Sequence, residues 1–372
     1  MNKIRLLVCF HLLFTLSLVS FWSKGQTALS DSTTLSFFIS TANVMQNGDN
    51  IATLASFVGI TRDSNISFNF SPQIKNLPGI KFSTRISARK IAYIPNYIST
   101  QIVIVDLLNT QNKIPSDNLP YVPSGLTSDG DRIFVYSSAS NQIIKLNDQG
   151  KIDKDFNSTI PSNWGCIGLQ CSGEVLYALF VDNLKGNSSN AKLYAINTLL
   201  GTIMGSVSVD RGSQFSVSGL NVVLSQTDRV GRNPEIDSTT IKIFKLTNNG
   251  NTVIFEKVGN DITQTLLGVT HYSMRDTLLY AIYRQGKMAK INLNTASIDT
   301  IVDLRAGLPQ FSRPHRINVY NNYAIIIMND DADNPNSQIV LTDLRNLSSP
   351  INVLQSHNLG RIRSILMLRP YQ

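Results

Sequence analysis

Glutamate is almost missing from this chain: Glu174, Glu235 and Glu256 are the only three. Cysteine is as scarce, with Cys9, Cys166 and Cys171, and that excludes a scaffold built on disulfides. Charged residues make up 16% and hydrophobic residues 42%, a balance too apolar for a disordered chain. No cluster of five or more Lys/Arg occurs, so a nucleic-acid partner has no support. Beyond the N-terminus no segment is long and apolar enough to cross a membrane. Catalytic signatures are absent as well: there is no G-x-S-x-G elbow, no HExxH, no P-loop and no GxGxxG. The sialidase box and the WD40 and Kelch signatures are also missing.

The N-terminus has the form of an export signal. Lys3 and Arg5 precede an apolar run from Leu6 to Trp22, and Ser23 and Gly25 place small residues before Gln26. The expectation is a signal peptide over residues 1–25 and a mature chain of 26–372, secreted, or at the periplasm or cell surface of a bacterium. An uncleaved N-terminal anchor is the alternative. Loss of Lys3, Arg5 and Lys24 lowers the formal charge from +8 to +5.

What the chain does contain is a repeat. Apolar, β-branched runs end in Asp, Asn or Thr at positions 106, 147, 197, 247, 292 and 343, spaced 41 to 51 residues apart. Another apolar run precedes each and a weaker one follows, while helical periodicity is weak throughout. Four short strands per unit at this period predict an all-β fold, a β-propeller of four-stranded blades. Blades are expected near 80–122, 123–160, 165–210, 213–260, 265–306 and 314–356. A seventh would combine 361–370 with 33–72, closing the ring with strands from both termini and tying off exposed edges. Six blades with an N-terminal cap is the alternative.

Two of the units resemble known repeat families. Pro123-Ser124-Gly125-Leu126, Asp129-Gly130, Ile133–Tyr136 and Asn141–Asn147 resemble an NHL-type repeat. Ile91–Asn96 continuing to Ile102–Asp106 resembles the YVTN-type repeat of exported propellers. The resemblance implies the fold and leaves function open, because such families include scaffolds, surface proteins, lactonase-like hydrolases and lyases. Lactonase-like propellers hold a divalent metal with acidic and amide side chains, including a glutamate. None of the three glutamates here falls at the start of an innermost strand.

In that architecture the connections between second and third strands share one face. Three are long: Asp182–Ala191, Gln226–Thr240 and Asn329–Gln338. The starts of the innermost strands lie toward the same face and carry Trp164, Arg313, His315, Arg316, Arg361 and Arg363. Arginines so placed suit a carboxylate or phosphate. Strict alternation would put Arg313 with His315 and Arg316 on the opposite face. His271 and His315 are the weak candidates for a catalytic base. Asp330, Asp331 and Asp333 are weak candidates for Ca²⁺, although their spacing is not that of an EF-hand and a solvated turn fits as well. No cofactor is expected otherwise. Cys166 and Cys171 fall on one predicted strand, about 16 Å apart, too far for a disulfide. The first reading is a propeller that binds a small molecule or a protein on its long-loop face. A channel hydrolase or lyase and a structural or adhesive surface protein are the alternatives.

Overall fold

The computed structural model describes residues 33–42, 51–62, 65–78, 85–86, 91–95, 99–106, 113–129, 132–160, 164–182, 190–210, 213–228, 238–263, 268–305, 313–320, 322–329, 337–347, 352–354 and 361–367. In strands before residue 99 and after residue 351 it describes the backbone. The expected signal segment, 1–25, lies outside the described residues.

All of the secondary structure among the described residues is strand, arranged in seven four-stranded sheets. β4 (Arg85–Ile86), β5 (Ile91–Pro95), β6 (Ile102–Asp106) and β7 (Lys113–Pro115) form one. β8 (Gly125–Asp129), β9 (Arg132–Tyr136), β10 (Gln142–Leu146) and β11 (Ser158–Thr159) form the next. The third has β12 (Trp164–Ser172), β13 (Val175–Asp182), β14 (Asn190–Asn197) and β15 (Ile203–Asp210). The fourth has β16 (Gln214–Ser218), β17 (Asn221–Asp228), β18 (Ser238–Asn249) and β19 (Thr252–Lys257). The fifth has β20 (Val269–Arg275), β21 (Leu278–Tyr283), β22 (Lys287–Asn292) and β23 (Ser297–Asp303). The sixth has β24 (Arg313–Tyr320), β25 (Tyr323–Asn329), β26 (Ser337–Asp343) and β27 (Asn352–Leu354). The remaining sheet joins both ends of the chain, in the order β28 (Arg361–Met367), β1 (Thr33–Ala42), β2 (Ile51–Arg62), β3 (Asn65–Pro78).

By backbone contacts the chain divides into two units. The smaller comprises Met1–Phe37 and Ser56–Ser71, the larger Phe38–Ala55 and Pro72–Gln372. Everything that follows concerns the larger. Within it the first strands pack in succession: β4 on β8, β8 on β12, β12 on β16, β16 on β20, β20 on β24, β24 on β28 and β28 on β4.

Side-chain alternation explains why each sheet needs two neighbours. Along β13, Leu176, Ala178 and Phe180 enter one apolar cluster with Phe134, Ile143 and Tyr194. Tyr177, Leu179 and Val181 point the other way, into a cluster with Phe215, Val222 and Phe244 of the next sheet. A strand buried on both faces reads as a continuous apolar run, and Val175–Asp182 is buried along nearly its whole length. The outermost strands are largely solvated: β23 is exposed at five of its seven positions and partly buried at two. At the closest approach of two outer strands, a Cβ on Gly205 of β15 would strike the backbone carbonyl of Val253 on β19.

The strands also run further than apolar runs alone suggest. β13 continues to Asp182 and β14 starts at Asn190; β17 reaches Asp228 and β18 starts at Ser238. β25 ends at Asn329 and β26 starts at Ser337. The long connections are therefore 183–189, 229–237 and 330–336. Polar residues such as Thr227, Thr239 and Gln338 extend the ladders because backbone pairing does not require apolar side chains.

Candidate functional site

Three first strands start opposite the ends of their second strands: Trp164 pairs with Asp182, Val269 with Tyr283 and Arg313 with Asn329. These three strands each carry an extra residue near their start. The register slips between Cys166 and Gly168 on β12, between Val269 and His271 on β20, and between Pro314 and Arg316 on β24. The extra residues are Ile167, Thr270 and His315. Such a bulge resets alternation by one residue.

The consequence corrects the strict-alternation expectation. Arg313 pairs with Asn329 and Arg316 with Ile327. Asn329 and Ile327 are two apart on one strand, so Arg313 and Arg316 share a face, and His315 is the bulged residue between them. The opposite face of β24 and β25 carries Ile317, Val319, Ile326 and Met328, which pack with Tyr280 and Ile282 of the β20–β23 sheet. The arginine face therefore looks the other way, toward β28, which contacts both β24 and β25. Arg361 and Arg363 lie two apart on β28. The first strand next to β24 therefore carries two further arginines in its sequence.

Arg316 is partly buried, and desolvation lowers its pKa from the ordinary guanidinium value. A guanidinium stays charged even so, and its planar fork of donors matches a carboxylate or phosphate. Arg313 and His315 are likewise partly buried.

The other predicted residues are placed elsewhere. His271 pairs with Ile282, whose side chain belongs to the apolar cluster between the β20 and β24 sheets. It therefore lies on the other side of β24 from Arg313 and Arg316. Its ring sits 6.4 Å from that of Tyr272, tilted by 33°. Burial pushes the Tyr272 phenol up from its usual value. Next to His271, the Thr270 hydroxyl lies 3.0 Å from the Pro314 carbonyl and 3.3 Å from the Ile282 carbonyl, tying β20 to β24. Trp164 is on β12, which packs on β8 and β16, so the structure does not bring it to the arginines. Asp330, Asp331 and Asp333 lie outside the described residues. Among the described residues no group of three or more His, Cys, Asp or Glu side chains is placed to hold a metal ion.

Cys166 and Cys171 are separate thiols on β12. Cys166 is fully buried, which raises its thiol pKa well above the ordinary range.

Sequence reasoning missed one feature. A cavity of about 210 Å³ lies between β15 and the β17–β19 face, with Asp210, Lys242, Lys257 and Asp261 in its lining. These charges come from separate strands and a turn, so only the pairing of two sheets assembles them.

No family model matches the chain, and no curated protein matches it in sequence. Solved structures do. AztD from Citrobacter koseri is 12% identical with a TM-score of 0.50, over 90% of this chain and 98% of its own. A mutant of the Synechocystis apocarotenoid oxygenase is 11% identical with a TM-score of 0.54, over 90% and 91%. The β-propeller domain of Cps50 (Swd1) from Myceliophteria thermophila is 10% identical with a TM-score of 0.50, over 78% and 96%. At such identities the likeness is one of fold, and the fold is a β-propeller.

Proposed function

We propose that this chain is an exported seven-bladed propeller of the YVTN/NHL repeat type that binds an anionic ligand, a carboxylate or phosphate, at its first strands. The seven four-stranded sheets, the sheet shared by β28 with β1–β3, and the succession of first-strand contacts that returns from β28 to β4 support the blade number and the closed ring. The observation that carries the binding reading is the bulge at His315. It puts Arg313 and Arg316 on the face of β24 that looks toward β28, where Arg361 and Arg363 lie. Of the two candidate bases, His271 lies on the other side of β24 from these arginines, whereas His315 lies on the bulge between them, so a hydrolase or lyase using His315 is the second reading.

The test is thermal unfolding of the purified protein in rising phosphate or citrate, against chloride at equal ionic strength. A ligand bound to the native state alone raises the midpoint, by about 2.7 kcal/mol of stability at a hundredfold excess over its dissociation constant. At least one of the two anions is expected to raise it, with the shift reduced in Arg313→Gln and Arg316→Gln. Equal midpoints in both anions and chloride would refute the reading. N-terminal sequencing of the exported protein should begin at Gln26.

A further inference from the structure

The cavity between β15 and β17–β19 lies in a different gap from the arginines. We infer that it is a binding site for a small zwitterion, a free α-amino acid with an aliphatic side chain. Its position follows from register. Leu224 pairs with Lys242 and Phe244 with Lys257, so these four side chains and Gln226 share one face of the sheet. Lower on that face Val222, Leu246 and Val253 pack against Tyr177 and Leu193 of the neighbouring sheet. A packing face is expected to stay apolar, and here it acquires two lysines where it opens into the cavity.

The charges are arranged across the gap. Asp210, with Ser208 and Ser213, comes from β15 and its end, and Lys242 from the facing sheet. Lys242 Nζ and Asp210 Oδ2 are 3.8 Å apart, beyond hydrogen-bonding range, whereas Lys257 Nζ and Asp261 Oδ1 on the same wall are 2.8 Å apart. The ion pair on one wall is close, and the one across the gap is wider. Two lysines and two aspartates carry no net charge, so a simple anion or cation meets a like charge along with an opposite one. A zwitterion meets neither conflict: its ammonium takes Asp210 and its carboxylate takes Lys242. Leu224, Val209 and Phe244 complete the lining and suit an aliphatic side chain. The volume of about 210 Å³ is room for roughly seven waters, smaller than the pocket of a drug-sized ligand. Side-chain exposures of 35% for Lys242 and 47% for Asp210 leave both open to solvent.

Calorimetric titration of the full protein with L-alanine, L-valine and L-leucine tests the site. The controls are the N-acetyl and the C-terminal amide form of each, which remove one charge apiece. Saturable binding of at least one amino acid is expected, with both blocked forms about tenfold weaker or worse. Asp210→Asn and Lys242→Met should each weaken it by a similar factor while leaving the unfolding midpoint within a few degrees. Absence of binding by all three amino acids would overturn the proposal. So would equal binding of either blocked form, which needs no variant and so decides the matter if a variant fails to fold. Binding that persists unchanged in both variants would also overturn it.

Discussion

The side-chain amide of Gln170 completes the backbone of a neighbouring sheet: its Nε2 donates to the carbonyl of Phe215 at 2.8 Å. Its Oε1 accepts from the amide of Val217 at 3.0 Å. Gln170 belongs to β12 and Phe215 to β16, so one residue supplies both partners that a paired strand would offer. Ser273 plays a smaller version of this part between β20 and β24, accepting from the Val319 amide at 3.1 Å.

Gln170→Ala is therefore expected to cost about 1–3 kcal/mol, because it leaves a donor and an acceptor between sheets without their partner. Urea unfolding reads the loss as a lower midpoint. Gln170→Glu should also destabilise, since it keeps the acceptor for Val217 and sets an oxygen against the Phe215 carbonyl. An unchanged midpoint in both variants would mean that the amide contributes nothing to the joint.

The two thiols of β12 should differ sharply in reactivity. Cys166 is fully buried with its pKa raised, and Cys171 is partly exposed. An alkylating reagent under native conditions is expected to label Cys171 and to reach Cys166 only after unfolding. Mass spectrometry of the digested protein locates the label, and equal native labelling of both would contradict the burial of β12.

Acid should unfold the protein partly through its outer ion pairs. Lys145 Nζ lies 2.7 Å from Asp153, and this hydrogen bond holds the Asp153 carboxyl below its ordinary value of 3.8. Asp343 is held down in the same way by Arg345, at 2.6 Å. A depressed carboxyl pKa contributes stability at pH above the unfolded value, and that contribution disappears as the pH falls through the folded one. Asp153→Asn should therefore lower the melting temperature at neutral pH and match the wild type well below pH 3.8. A difference that persists undiminished into acid would point to packing rather than charge.

Chelation gives a separate prediction for the acidic loop at Asp330, Asp331 and Asp333. EDTA is expected to leave the melting temperature unchanged, because Pro335 interrupts the run and no glutamate closes it. A drop that added Ca²⁺ reverses would establish a metal site and reopen metal-assisted chemistry.

Much of this architecture was legible because strand alternation and turn spacing are local. The runs ending at Asp106, Asn147, Asn197, Thr247, Asn292 and Asp343 each end at or within two residues of the end of a third strand. The site was less legible. Nothing in Arg313-Pro314-His315-Arg316 announces a bulge, because a bulge depends on which partner residue each backbone group meets. Strict alternation therefore placed Arg316 on the wrong face. Trp164 and His271 shared a strand position with the arginines, yet β12 is not next to β24 and His271 faces another gap. The cavity at Lys242 and Asp210 depends on two sheets meeting, which no single segment encodes.

The most direct test of the anion-binding account is a calorimetric titration with citrate of the wild type and of Arg313→Gln, Arg316→Gln and the double variant, repeated at two salt concentrations. The account predicts saturable binding by the wild type that weakens as salt rises. Each single variant should bind about tenfold or more weakly, and the double variant should differ from the sum because both arginines share one face. Wild-type affinity in the double variant, or no heat from the wild type itself, would contradict it.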